Sequence, residues 1–152
     1  MKIVEEIYIQ LLDSPAVPPE SGGIIGSSNG EVINHVVFDR GQLNHRGGVY
    51  MPDTQFLNQI IKDWNECEIE FRGIFHTHAA QWPELSNSDR IYIIEILKAM
   101  PSYIQNLYFP LIFPGEKIKA YCARKNGNVI SIVDENIDII KKREEMRDER
   151  NE

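Results

Sequence analysis

Two asparagine–glycine dipeptides, Asn29-Gly30 and Asn126-Gly127, each lie between runs of apolar residues. Asn-Gly in that setting is the composition of a two-residue hairpin, because both residues accept the positive φ that a type I′ turn demands. Strands joined by tight turns run antiparallel, so much of any sheet built here must be antiparallel. The spacing predicts strands over 22–26 and 32–38 around the first turn. Residues 106–113, 117–124 and 128–133 read as three more, with Gly115 and Asn126-Gly127 between them. Residues 68–76 read as a central strand, with Ile69, Phe71 and Phe75 on one parity. Phe56, Leu57, Ile60, Ile61 and Trp64 recur at three and four, which predicts a helix over 54–66 capped by Asp53 or Thr54. A second helix is predicted over 87–100, its turns marked by Ile91, Ile94, Leu97 and Lys98 and its end by Pro101. Ile3, Ile7 and Leu11 favour a helix over 1–13, although Ile7, Ile9 and Leu11 also alternate as a strand would. This order predicts a mixed α/β fold, a largely antiparallel sheet flanked by helices, and not a repeating parallel βαβ array.

Composition narrows the class. A chain of 152 residues suits one domain, here 1–136, followed by a charged tail over 137–152. The tail's KKREEMRDERNE places Lys141 with Glu145 and Glu144 with Arg147 at helical pairing distance, so a solvated helix is expected there. A partner-binding or oligomerising helix is the alternative. Sixteen basic against 23 acidic residues give a net charge of −7, which argues against nucleic-acid binding, since phosphate contacts need a basic face. No apolar stretch approaches the roughly 20 residues of a membrane helix. Glu5 and Glu6 interrupt the region where a signal peptide needs an apolar run, so a cytoplasmic location is expected. Cys67 and Cys122 stand alone, which excludes a disulfide scaffold or a cysteine-rich zinc site and predicts reduced, packed thiols. Nothing in the sequence sets an oligomeric state.

The chemistry is concentrated in residues 73–89. His76 and His78 end a predicted strand, and residues two apart on a strand face the same side. Two imidazoles thus converge, and Asp89, in the first turn of the next helix, is placed to supply a carboxylate. Two nitrogens and one oxygen suit zinc, with a fourth position open for water, as in catalytic sites. Paired histidines alone are common without metal, and Ser86-x-x-Asp89 alone is a helix capping box. The four residues in order carry the reading. A hydrolytic site also needs a general base. Glu20, beside the 22–26 strand, leads, but spacing alone does not separate it from Glu31, Glu70 or Glu84.

His76-Thr77-His78, seven residues, Ser86, two residues and Asp89 resemble the H-x-H-x7-S-x-x-D signature of the JAMM (MPN+, JAB-domain) metalloproteases. Upstream, Glu20-Ser21-Gly22-Gly23-Ile24-Ile25-Gly26 is similar to the family's Glu-x-Gly-Gly-hydrophobic-hydrophobic-Gly segment. The resemblance spans about residues 1–133 and departs at Ala79, where many members have proline. It implies a cytidine-deaminase-like fold, one zinc held by His76, His78 and Asp89, Glu20 as the base, and Ser86 as donor to the oxyanion. It further implies cleavage of a peptide or isopeptide bond, often after the Gly-Gly tail of a ubiquitin-like or sulfur-carrier protein. Deaminase chemistry itself is unsupported, since H-x-E and P-C-x-x-C motifs are missing. The connection 39–53, including His45, and the loop 79–85, including Trp82, are candidate walls for the substrate. A metal-free scaffold module and a zinc hydrolase of small amides are the competing functions.

Overall fold

The computed structural model describes residues 1–42 and 49–141. In chain order the elements are β1 (Lys2–Val4), α1 (Glu5–Leu12), β2 (Gly22–Ser27), β3 (Val32–Ile33), β4 (His35–Asp39), α2 (Thr54–Glu66) and β5 (Glu70–Thr77). Then come α3 (Asn87–Ala99), β6 (Asn106–Tyr108), β7 (Leu111–Phe113), β8 (Lys117–Asn126), β9 (Val129–Glu135) and β10 (Asp138–Ile140). The fold is mixed α/β with a largely antiparallel main sheet.

That sheet runs β4-β2-β5-β6-β8-β7, with β9 on β8 and β7 also meeting β5. Only the β5–β6 and β5–β7 pairings are parallel. The strand predicted over 106–113 is broken into β6 and β7 at Phe109-Pro110. Proline has no N–H to give the ladder, but the Pro110 carbonyl still accepts the His76 N–H at 3.3 Å.

Alternation along the central strands sends side chains to two cores. Ile24 and Ile74 join Leu57 and Trp64 of α2 and Ile93 and Leu97 of α3 on one face. Ile25 and Phe75 join Ile7 and Leu11 of α1 on the other. Phe71 and Phe75 were expected on one side, yet Phe71 lies in the first core and Phe75 in the second. The cause is a bulge: Ile25 pairs with Gly73 but Gly26 with Phe71, so Arg72 is the extra residue and the parity inverts.

Four further expectations are corrected. Residues 1–13 are not one helix. Lys2–Val4 forms β1, the centre of a three-stranded sheet β10-β1-β3 in which both pairings are parallel. The strand predicted over 32–38 is divided at Asn34: β3 joins that small sheet and β4 pairs with β2. The turn at Asn29-Gly30 is accordingly not a two-residue hairpin. Asn29 keeps a negative φ, and its side-chain oxygen accepts the backbone N–H of Glu31 and Val32, an Asx turn. The tail, read as a helix from 137, begins instead with β10; residues 142–152 lie outside those described.

The second hairpin forms one residue away from the expected position. Asn126 pairs with Val129, so Gly127 and Asn128 make the loop, and Gly127 alone takes a positive φ of 62°. A single positive φ at the first loop position is the type II′ pattern, which calls for glycine there. Cys122 is packed in β8, whereas Cys67 is exposed beyond α2, contrary to expectation. No helix among the described residues is long and apolar enough to cross a membrane.

Candidate metal and catalytic site

β5 carries His76 and His78 to the edge of the core. The backbone N–H groups of His76 and His78 are held by the carbonyls of Pro110 and Ile112 across the parallel pairing. The intervening Thr77, fully buried, points the other way. Its Oγ accepts the Ser21 N–H at 2.9 Å, and its own N–H reaches the Ser21 carbonyl at 2.8 Å. This clasp fixes the residue next to Glu20 against the histidine strand. Glycines are required alongside: a Cβ on Gly22 would sit 2.5 Å from the Phe75 carbonyl and the Tyr50 ring, and one on Gly23 2.1 Å from the Val37 carbonyl.

Asp89 arrives from α3. Ser86 is the N-cap, its Oγ accepting the Asp89 N–H at 3.0 Å while Asp89 Oδ2 accepts the Ser86 N–H at 2.9 Å. This is the capping box the sequence predicts. The helix turns to the sheet with Asp89, Ile93 and Leu97 on one face. The predicted marker Ile91 is 59% exposed, because the i, i+4, i+8 row from Asp89 sets the inward side. A Ser86→Ala variant is expected to lose the cap, worth about 1 kcal/mol. For a chain of this size that lowers Tm by roughly 2–4 °C, and thermal denaturation of the metal-free protein would show it.

The three side chains converge. His76 Nε2 and His78 Nε2 are 3.1 Å apart, and Asp89 Oδ2 lies 3.4 Å from the first and 3.3 Å from the second. Among the described residues these three form a group able to hold a metal ion. His78 Nδ1 lies 3.0 Å from the Trp82 carbonyl. A carbonyl only accepts, so Nδ1 carries the hydrogen, and Nε2 of the neutral ring keeps its lone pair facing the cluster. The sequence offered no signal for this contact, which is made by a backbone atom. The Trp82 side chain is 66% exposed beside the site.

Of the four candidate acids, Glu20 meets the histidines, with Oε1 3.7 Å from His78 Nε2. Glu31 pairs with Lys2, Glu70 with Arg72, and Glu84 with Lys119. Glu20 Oε2 is buried and has no hydrogen-bond partner. Burial pushes the Glu20 carboxyl above its ordinary range, against the pull of His78 and His76. For Asp89, burial is outweighed by hydrogen bonds to His76 and His78, which hold its carboxyl well below the usual range. For His78, burial works downward, but the bonds to Asp89 and the Trp82 carbonyl raise it overall. His45 lies outside the described residues. His35 is a strand residue of β4 set edge-on to the Trp64 ring at 6.2 Å.

No family model matches the chain, and none of the curated proteins matches it. Solved structures of similar shape do exist. The solution structure of a protein from Desulfitobacterium hafniense has a TM-score of 0.65 at 17% identity, with 93% of each chain covered. That of a protein from Salinibacter ruber has a TM-score of 0.50 at 15% identity, with 92% of each covered. Both are likenesses of fold.

Proposed function

We propose that the chain is a zinc-dependent hydrolase of peptide or isopeptide bonds. As the sequence resemblance implies, its substrate is the tail of a ubiquitin-like or sulfur-carrier protein. One observation carries the reading. In a tetrahedral zinc site with bonds of about 2.0–2.1 Å the ligand atoms lie roughly 3.3–3.4 Å apart. The three atoms here are separated by 3.1, 3.3 and 3.4 Å, and an unpartnered buried carboxylate oxygen belongs to the neighbouring Glu20. His76, His78 and Asp89 would hold the ion. Bound there, zinc would polarise the scissile carbonyl and bring the pKa of water down to about 7.

The protein's own groups supply the rest. Glu20 takes a proton from the attacking water as the water oxygen joins the carbonyl carbon. It returns that proton to the nitrogen as the C–N bond breaks and the amine leaves. Ser86 Oγ is occupied as an acceptor by the Asp89 N–H, which leaves its hydroxyl hydrogen for the developing oxyanion, a contact worth about 3 kcal/mol. Among the described residues β4 ends the main sheet, and its Asp39 is level with Gly22 and, beyond it, His76. An extended tail adding to that edge would run toward the histidines.

The test is metal content by mass spectrometry on untagged protein prepared without chelator. About one zinc per chain is expected, as in three-ligand catalytic sites, and its loss in a His76→Ala/His78→Ala variant. Protein that stays metal-free after zinc is added back would end the hydrolase reading.

A further inference from the structure

A cavity of about 300 Å³ opens beside Asp89 and His76. Glu20, His76 and Asp89 line part of it, and most of the remaining wall is apolar. Ile74 and Phe109 come from the sheet, Tyr92 and Ile93 from α3, and Tyr50 and Met51 from the segment before α2. The Tyr50 hydroxyl donates to Asp39 Oδ2 at 2.8 Å, so its ring is left to line the space. Buried Asp39 also accepts the N–H groups of Gly41 and Asp53, which fixes the segment's two ends. The cavity is therefore built into the resting fold, at the lower end of the ~300–1,000 Å³ typical of ligand pockets.

Such a space fits poorly with a glycine beside the cleaved bond. A glycine would leave apolar walls facing water that finds few partners there. An aromatic or branched aliphatic side chain would cover those walls and gain the hydrophobic contribution of its own burial. Resting on the hydrolase reading, we propose that this cavity is a specificity pocket. Among the substrate tails of that reading it selects those with a bulky apolar residue next to the scissile amide over those that end in Gly-Gly.

The experiment is an NMR titration of the full chain with N-acetyl-phenylalanine amide and N-acetyl-glycine amide, with and without zinc. It is paired with cleavage of peptides varied at the two positions flanking the amide. The phenylalanine amide should shift the backbone resonances of Tyr50, Met51, Tyr92 and Ile93 and bind at least ~10-fold tighter than the glycine amide. Met51→Lys, on a partly exposed loop residue, should remove that difference; Val49→Lys serves if that variant does not fold. Phenylalanine or leucine beside the amide should raise kcat/KM at least ~10-fold over glycine. Equal affinities and no positional preference, in protein that binds zinc and hydrolyses amides, would overturn the pocket alone. Binding of the phenylalanine amide at these residues by protein that takes up no zinc would overturn the hydrolase reading and leave the pocket standing.

Discussion

A Glu20→Gln variant is expected to bind zinc like the parent and to hydrolyse its substrate at least 100-fold more slowly, within the ~10²–10⁴-fold that a positioned general base contributes. Glutamine keeps the shape of the side chain but has no basic oxygen at neutral pH. The side chain's location is set by its neighbour, since the Ser21 backbone and the N–H and hydroxyl of Thr77 hold each other through three hydrogen bonds. The amide should therefore occupy the same place without disturbing β2 or β5. Glu20 is suited to the proton transfer in two ways. Burial raises its carboxyl toward the working range of a base, and Oε2 has no internal partner to give up. Metal content and turnover of a β-grasp fusion, measured on the same preparation, separate the roles. Full activity would assign the base to another group, and loss of zinc would make Glu20 a ligand.

The parts of this architecture visible in the sequence are those fixed by near neighbours. α2 starts where Asp53 offers a cap, its side chain accepting the Phe56 N–H, and α3 starts at the Ser86–Asp89 box. The cluster able to hold a metal is of the same kind. It needs a strand end with two histidines of one parity and the first turn of the next helix, all within fourteen residues. What was hidden depends on distant pairing. β1 lies between β3 and β10 through two and three residue pairs respectively. Runs that short leave no periodicity to read. The Arg72 bulge, which turns Phe71 and Phe75 to opposite cores, likewise exists only against β2. The choice of Glu20 over Glu31, Glu70 and Glu84 belongs to this second group. It is made by the contact between Ser21 and Thr77, 56 positions apart. Tyr92, three residues after Asp89, could have been placed beside the site from helical spacing. Tyr50 could not, because its position depends on Asp39 across the segment from β4 to α2.

Asp89 combines two duties in one atom, and an Asp89→Ala variant should expose both. Oδ2 faces His76 Nε2 and His78 Nε2 and also accepts the Ser86 N–H. Removing the carboxylate leaves two of the three proposed protein ligands, so zinc should fall below about a tenth of an equivalent under conditions that saturate the parent. Hydrolysis should be lost with it. The metal-free variant should also be less stable, because the Ser86 N–H loses its partner and the first turn of α3 loses a negative charge, each worth roughly 0.3–1 kcal/mol. Added zinc separates the two effects. It should stabilise the parent by mass action, about 4 kcal/mol at a thousand times Kd, and leave the variant's Tm unchanged. Asp89→Asn provides the control. Its side-chain oxygen can still cap Ser86 but carries no charge for the helix or the metal, so the capping part of the metal-free stability should recover while zinc affinity does not. Thermal denaturation with and without zinc, run on the three proteins, reads all of this. Undiminished zinc stabilisation in Asp89→Ala would remove Asp89 from the ligand set and leave it a helix cap.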